Sequence, residues 1–295
     1  MMTRRRFILT TAGVLVPALP RVAVAQGPFV AMRPKTTKPP FGSVQINWGH
    51  PLARDLRLCV LFNEGAGLPR DLLWHGPATQ SGTMSWLTNS SGPGVAAGGT
   101  TSDFFSFGSL VDLTGIGTLS VTAIATPVGM ARGDFVCHWG AAGSRHFNLL
   151  QGVTASTFQF FGSTDGSNST GSNTISFSVG QTYRLTGVAD GTDIRLYQNG
   201  VAGTPVAVGT LYGGATNTVN VGANDNSGST TQVTLAYIHA RPLSASECAW
   251  LHAEPYAFLS SVPAVTYVFM RTPAAPAEPG GGGITPLRSL LGVGQ

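Results

Sequence analysis

Histidine and cysteine are the side chains of this 295-residue sequence with the greatest potential for metal binding or nucleophilic chemistry. The six histidines show no HxH or HExxH spacing. Cys137 and His138 are adjacent in a strand-like run, so their side chains point to opposite faces and do not readily share a zinc ion. The three cysteines are odd in number and widely spaced, which excludes a disulfide scaffold and a CxxC motif, although one bridge could form outside the cytoplasm. We therefore expect structural roles for these residues.

Aromatic and amide side chains suggest a second chemistry, the recognition of carbohydrate. A sugar ring stacks on an aromatic face, and its hydroxyls need nearby amides or carboxylates. Phe161 and Tyr212 lie near predicted loop ends, and residues 222–229 (GANDNSGS) form an oxygen-rich loop. The alternative is that the aromatic residues belong to the core and the domain only spaces or joins partners. The predicted ligand-binding residues are Trp139, Asn224, Asp225 and Asn226.

The amino terminus carries an export pattern. Residues 3–9 (TRRRFIL) match the twin-arginine signal, with Arg4 and Arg5 as its pair, and the apolar stretch that follows is too short to span a bilayer. Residues 23–25 (AVA) predict cleavage after Ala25. The alternative is a basic arm that stays attached. No other segment reaches membrane length, so we expect a periplasmic or extracellular protein with no membrane association.

Composition and charge exclude several classes of protein. The chain is 42% apolar and 10% charged, with 39 Gly and 19 Pro, which excludes a coiled coil, collagen and a highly charged disordered chain. The formal charge is +4, but four basic residues lie in the leader. Residues 43–260 contain eight Arg, no Lys, nine Asp and three Glu. Acidic residues therefore outnumber basic ones in this range, which disfavours a nucleic-acid partner.

Short strand-like runs separated by turn residues predict an all-β domain. Eleven runs fit this pattern, at the spacing of a sandwich or jelly roll. The Asp190-Gly191 and Asn199-Gly200 pairs accept the positive φ angles of tight hairpins, so residues 182–200 predict an antiparallel meander. The predicted strands cover residues 56–63, 83–87, 103–107, 119–126, 134–139, 146–151, 157–161, 182–189, 193–198, 218–222 and 232–240.

The carboxyl-terminal part contains one predicted helix and a tail. Residues 244–247 (SASE) form a capping box, and we expect the helix that follows to pack on the sandwich through Trp250 and Leu251. Residues 272–283 are a Pro/Ala/Gly stretch. Beyond them, Leu287, Leu290 and Leu291 form a small apolar face that a protein partner could bind, although plain disorder is the alternative.

Three segments in this order resemble the LamG-like, concanavalin A-like lectin/glucanase family. They are residues 61–67 (LFNEGAG), 188–200 (VADGTDIRLYQNG) and 241–247 (RPLSASE). Residues 47–53 (NWGHPLA) and 253–256 (AEPY) also resemble forms from bacterial and phage-associated proteins. The resemblance implies a jelly roll of two antiparallel sheets that serves as a module for carbohydrate binding or adhesion.

The resemblance also raises two further chemistries. Some relatives of this fold cleave glucans with a Glu-x-Asp-x-x-Glu strand, but no such strand can be drawn from the four Glu here. The strand before the final helix, residues 232–240, lacks the acidic residues that the family usually carries there. Lectin-like jelly rolls often bind calcium at the sheet rim, and Asp225 is a weak calcium candidate. We therefore predict no catalytic residues and no cofactor, with calcium as the one open alternative.

The sequence thus predicts four segments and one function. The segments are a signal peptide (1–25), a Pro/Lys-rich linker (26–42), a LamG-like jelly-roll domain (43–260) and a Pro/Gly-rich tail (261–295). The fold class is all-β, a two-sheet antiparallel jelly-roll sandwich with one short C-terminal helix. The predicted function is non-catalytic binding of a glycan or surface polymer. The alternative is a structural or assembly module, with a glycoside hydrolase less favoured.

Overall fold

The computed structural model describes residues 35–73, 76–108, 112–130, 132–152, 156–222 and 231–261. The leader, the tail and the loop that holds Asn224, Asp225 and Asn226 lie outside these residues. Within them, the chain forms antiparallel strands, a short 3₁₀ helix over Pro51–Ala53 and one α-helix, α1, over Ala245–Ala253. No helix among the described residues is long and apolar enough to cross a membrane.

The strands are short and follow one another closely along the chain. In order they are β1 Val44–Ile46, β2 Leu56–Val60, β3 Thr79–Ser81, β4 Met84–Asn89, β5 Gly92–Ala97, β6 Phe104–Ser106, β7 Leu119–Thr126, β8 Gly133–His138, β9 Phe147–Gln151, β10 Thr157–Gly162, β11 Thr170–Gly171, β12 Ile175–Ser176, β13 Tyr183–Ala189, β14 Asp193–Gln198, β15 Val201–Ala202, β16 Val206–Ala207, β17 Asn220–Gly222, β18 Gln232–His239 and β19 Leu259–Ser261.

Two antiparallel sheets form a sandwich. The first sheet has the order β11-β10-β9-β8-β17-β6-β3, with β12 also paired to β10. The second has the order β15-β14-β13-β7-β18-β5-β4, with β16 on β14 and β2 on β18. A separate ladder joins β1 to β19, the two ends of the described domain. The predicted fold class is therefore confirmed as an antiparallel sandwich with one short helix near the carboxyl terminus.

The main core lies between the two sheets. Phe105, Phe135, Phe147, Phe158 and Phe160 are all buried there, and each belongs to a strand of the first sheet. Val121, Leu185 and Ile238 face them from the second sheet. Alternate residues of each strand point into this layer, as a two-sheet packing requires.

A second apolar cluster covers the outer face of the second sheet beneath α1. Cys248 and Leu251 of the helix pack in this cluster with Tyr197 and Tyr237 of the sheet. Leu251 is buried as predicted, whereas Trp250 is 40% exposed and does not belong to the cluster. Leu251 lies on the buried side of α1, and the adjacent Trp250 does not. The centre of the Trp250 ring lies 4.6 Å from the centre of the His50 ring.

The predicted capping box and hairpin turns are present. The Ser244 Oγ accepts a hydrogen bond from the Glu247 backbone N–H at 3.2 Å, and the Glu247 carboxylate accepts one from the Ser244 N–H at 2.9 Å. Gly191, Asn199 and Gly200 have the positive φ angles that the Asp-Gly and Asn-Gly turns require. Glu247 also accepts two hydrogen bonds from Arg241, which together with the capping box lower the pKa of Glu247 to about 2.

Candidate functional site

A solvent-open cavity of about 780 Å³ lies beside the β1–β19 ladder, and we call it the groove. Its volume is typical of a small-molecule site. Its lining combines aromatic, aliphatic and polar side chains. They include Phe41, Gln45, Trp48, Asn63, Glu64, Arg70 and Asp71.

Two aromatic residues of the groove are strongly exposed. Phe41 is 57% exposed and Trp48 is 62% exposed. Trp48 lies at the tip of a turn in which the Asn47 Oδ1 accepts from the Gly49 N–H at 3.1 Å and the His50 N–H donates to the Asn47 carbonyl at 3.0 Å. The Asn47 N–H donates to the Phe258 carbonyl at 2.8 Å and fixes this turn to the domain. The turn therefore holds a large ring in solvent beside the groove.

Polar groups lie along the same groove. The Glu64 Oε1 accepts a hydrogen bond from the backbone N–H of Arg70 at 2.8 Å. Arg70 is exposed, and its guanidinium makes no hydrogen bond to another of the described residues. Asn63 donates from its Nδ2 to the Pro39 carbonyl at 3.1 Å and keeps its Oδ1 as an acceptor. The groove thus offers donors and acceptors next to two aromatic rings.

Asp71 is a buried carboxylate in the wall of the groove. Its Oδ1 accepts hydrogen bonds from the backbone N–H groups of Cys59, at 2.8 Å, and Leu73, at 3.2 Å. Burial raises the pKa of the Cys59 thiol well above its usual value, and the charge of Asp71 adds to this shift. Asp71 therefore ties the loop after β2 to β2 itself, and Cys59 is held as a thiol. Cys59, Cys137 and Cys248 are all buried, and none of the three forms a disulfide bond.

Trp48 also borders a second depression, of about 510 Å³, on its other side. His50, Arg54 and Arg57 contribute to its lining. The His50 Nδ1 accepts the Leu52 N–H at 3.1 Å, which leaves its Nε2 to carry the proton of the neutral ring. Partial burial lowers the pKa of His50, and the charge of Lys35 adds to this shift while Glu254 opposes it. Trp48 is thus a ridge between two open depressions.

Of the predicted ligand-binding residues, Trp139 alone lies in the described part of the chain. Trp139 is only 6% exposed, and the Arg145 guanidinium carbon lies 5.5 Å from the centre of its ring. The burial of its ring does not support the stacking role that we predicted for Trp139. Tyr212 is half-buried against Gly166 and Gly214. Asn224, Asp225 and Asn226 lie outside the described residues, so their predicted role stays a prediction.

Metal chemistry has no assembled site in the described residues. No group of three or more His, Cys, Asp or Glu side chains there is arranged to hold an ion, and Asp225, the calcium candidate, lies outside them. The structure does bring His138 and His146 together, with 3.1 Å between their Nδ1 atoms. Their spacing of eight residues matches no metal motif, so sequence spacing did not indicate this pair.

The groove was not predicted from the sequence. Phe41 lies in the segment predicted as a linker, and Trp48 lies in a motif that was used only for its resemblance. A large aromatic residue between turn-forming neighbours, as in Asn47-Trp48-Gly49, could have indicated an exposed ring. It could not be predicted that Phe41 and Trp48 line the same groove, because their proximity depends on the pairing of β1 with β19.

No protein-family model matches the chain, and no curated protein is significantly similar to it in sequence. Solved structures share its sandwich fold at 8–13% identity. The binding domain of Paraclostridial Mosquitocidal Protein 1 has a TM-score of 0.54 at 8% identity, over 69% of this chain and 53% of that one. Botulinum neurotoxin type C, whose cell entry depends upon interaction with two ganglioside molecules, has a TM-score of 0.52 at 12% identity, over 67% and 51%.

A third similar structure is the Trypanosoma rangeli sialidase, with a TM-score of 0.51 at 12% identity, over 69% of this chain and 33% of that one. This chain therefore spans about half the length of the mosquitocidal and neurotoxin structures and a third of the sialidase. At such low identity the likeness concerns the fold alone.

Proposed function

We propose that the protein is a non-catalytic carbohydrate-binding module of LamG-like type, and that the groove is its ligand site. The observation that carries the proposal is the pair of exposed rings, Phe41 and Trp48, in one open groove with Asn63, Glu64 and Arg70. Exposed aromatic residues in a concave site are costly unless a ligand covers them.

Sugar chemistry fits this lining better than a purely apolar ligand does. A pyranose has an apolar face of C–H groups and a rim of hydroxyls, so it needs rings and hydrogen-bonding groups in the same site. The rings of Phe41 and Trp48 match the face, and the side chains of Asn63, Glu64 and Arg70 match the rim. Gangliosides, which are named for the neurotoxin relative, carry sugars of this kind.

The carboxylates of the groove support a binding role rather than hydrolysis. Glu64 and Asp71 each accept backbone hydrogen bonds that fix the loop after β2. Glycoside hydrolysis needs one carboxyl group as a proton donor and a second as base or nucleophile. Carboxylates that already hold a loop through hydrogen bonds are poorly placed to donate a proton to a substrate or to act as its base or nucleophile. A reducing-sugar assay on the glycans that bind would reveal hydrolysis if it occurs.

A glycan array of the domain, followed by calorimetric titration of Trp48→Ala and Phe41→Ala, tests the proposal. We expect each substitution to weaken glycan binding by about 1 to 3 kcal/mol, because it removes a stacking face at the centre of the site. Trp250→Ala is the matched control, since this exposed tryptophan does not line the groove. The proposal is wrong if no glycan binds, or if Trp48→Ala and Trp250→Ala behave alike.

Titration with and without a chelator extends the same experiment to calcium. Any calcium requirement would favour a contribution from the predicted loop that contains Asp225, because carboxylate and amide oxygens are the ligands that calcium prefers. We further propose export by the twin-arginine signal, with a glycan or surface polymer as the partner outside the cytoplasm. The acidic balance of residues 43–260 makes nucleic acid an unsuitable partner.

A further inference from the structure

Residues 35–42, part of the predicted Pro/Lys-rich linker, lie against the sandwich, and we call them the strap. Lys35 donates from its Nζ to the carbonyls of Ala257, at 3.1 Å, and Leu259. Its own carbonyl accepts the Tyr256 N–H at 3.2 Å. Further along, the Pro39 carbonyl accepts from Asn63 at 3.1 Å. The strap is thus attached at several points.

Lys38 makes the most concentrated of these contacts. Its Nζ donates to the carbonyls of Phe62 at 2.9 Å, Thr234 at 2.8 Å and Pro93. We call these three oxygens the carbonyl cage. Thr234 lies in β18, Pro93 lies in β5, and Phe62 lies two residues after the end of β2. A single ammonium group therefore joins the strap to two strands of the second sheet and to the segment that follows β2.

The cage exists because β18 changes partner at this point. Gln232 and Val233 pair with β5, whereas Ala236 and the residues after it pair with β2. The register of β18 against β7 also shifts between Val233 and Leu235. Thr234 therefore lies in a gap of the ladder, and its carbonyl needs another donor because it is buried.

The three carbonyls of the cage suit an ammonium group. An ammonium has three donors, which match the three carbonyls. Burial lowers the pKa of Lys38 to about 7, and the nearby carboxylate of Glu64 opposes this shift. Taking the amine out of water is therefore costly, and the three carbonyls offset that cost.

The position of Phe41 follows from the position of Lys38. The two residues are joined by Pro39 and Pro40, whose rings fix φ and stiffen the chain. The Asn63 side chain, which lines the groove, holds the Pro39 carbonyl between them. With Lys38 anchored in the cage, Phe41 has little freedom to leave the groove.

We propose that Lys38 is a positioning residue for the groove: its ammonium fills the carbonyl cage and thereby fixes the strap so that Phe41 forms part of the ligand site. The proposal rests on the proposed function for its effect on glycan binding. The attachment of the strap does not depend on that function and can be measured separately.

Lys38→Met in the full chain tests both parts, because methionine keeps an unbranched apolar stem and removes all three donors. Trypsin cleavage after Lys35, followed by mass spectrometry, reports whether the strap is attached. We expect the cleavage rate to rise about tenfold or more, since release exposes this peptide bond. Cleavage after Arg184, in the middle of the second sheet, should not change, which separates strap release from global unfolding.

Glycan affinity provides the second measurement, and Arg132→Met is the matched control because it removes a cation from the exposed surface. We expect Lys38→Met to weaken binding about tenfold, as much as Phe41→Ala, and the control to have no effect. Pro40→Gly is a second variant for the case that Lys38→Met does not fold. It leaves the cage intact and loosens the link to Phe41, so affinity should fall without faster cleavage after Lys35.

Three results would overturn the proposal. One is an unchanged cleavage rate after Lys35 in a folded Lys38→Met protein. Another is a released strap with unchanged glycan affinity. The third is unchanged affinity in Pro40→Gly. If the wild-type protein binds no glycan, the proposed function fails, together with the part of this proposal that concerns the ligand, while the cleavage measurement still decides whether Lys38 holds the strap.

Discussion

Four of the five histidines among the described residues are buried. The His138 Nε2 lies 2.7 Å from the Asn217 carbonyl, which can only accept, so this nitrogen carries the proton. The His138 Nδ1 is then an acceptor for the His146 Nδ1–H at 3.1 Å. Both rings are neutral in this arrangement. The structural role that we predicted for the histidines agrees with this geometry, although the pairing itself could not be predicted from residues eight apart.

Stability should therefore depend on pH in the histidine range. Burial lowers the pKa values of His138, His146, His239 and His252, with His146 at about 3 and the last two at about 4. A group whose pKa is lower in the folded protein binds fewer protons there than in the unfolded chain. The free energy of unfolding then falls as pH decreases below about 6.5, by up to about 1.4 kcal/mol per pH unit for each histidine.

Urea unfolding at about pH 7.5, 6 and 5, at constant ionic strength, measures this effect. We expect a progressive loss of stability across the three values. Equal free energies of unfolding at pH 7.5 and pH 5 would show that these imidazoles titrate as they do in the unfolded chain.

Individual groove residues were harder to predict than core residues. Side chains alternate between the two faces of a strand, so Ile194 and Leu196 share one face of β14 and Tyr197 lies on the other. Ile194 and Leu196 are buried between the sheets, and Tyr197 is buried because α1 covers the outer face. The proposed binding role of Phe41 and Trp48 depends instead on which turns lie together at the β1–β19 ladder. No local sequence pattern indicates which turns these are.

At the scale of elements, the eleven predicted strands all have counterparts in the structure, within a few residues at each end. Residues 119–126 and 193–198 coincide with β7 and β14. The prediction omitted eight strands, among them β5, whose sequence begins Gly92-Pro93-Gly94 and resembles a turn. Gly94 is required there because a Cβ would lie 2.7 Å from the Val233 carbonyl of the neighbouring strand. Close packing of strands, rather than strand propensity, decides this element.

The approach of the two sheets depends on a second glycine, Gly187 in β13. A Cβ at this position would overlap the ring of Phe160 in β10 of the opposite sheet. We expect Gly187→Ala to lower the free energy of unfolding by about 1 to 3 kcal/mol through overpacking. Gly49→Ala is the control, since its nearest neighbour would be the Asn47 Oδ1 at 3.4 Å. Thermal unfolding of both variants measures the difference; similar melting temperatures would contradict this packing argument.

At the scale of the whole molecule, the strap, the sandwich and α1 make one continuous set of contacts. Arg241 donates to the Glu247 carboxylate and to the Pro51 carbonyl, so it joins the start of α1 to the 3₁₀ helix before β2. Lys35 joins the strap to the segment after α1. Lys38 joins it to β18 and to the segment after β2. The predicted boundaries of the signal peptide, linker, domain and tail stay predictions, but residues 35–42 contribute to the groove.

Export is a property of the whole chain and has its own prediction. If the twin-arginine interpretation is correct, changing Arg4 and Arg5 to Lys should leave a longer, unprocessed protein in the cytoplasm, because this route recognises the arginine pair. The exported wild-type protein should begin at Gln26. Fractionation and amino-terminal sequencing measure both, and normal export of the double variant, or an exported form that begins at Met1, would contradict the interpretation.

The ladder between β1 and β19 has a mechanical consequence. Val44 is opposite Ser261 and Ile46 is opposite Leu259, so the two ends of the described domain lie side by side. A domain with adjacent ends can be inserted into a surface loop of a host protein without forcing the host's chain apart. Tension applied between Val44 and Ser261 would act across this ladder and peel its hydrogen bonds one at a time, instead of shearing them together. The domain should therefore begin to open at low force, at the edge where the groove lies.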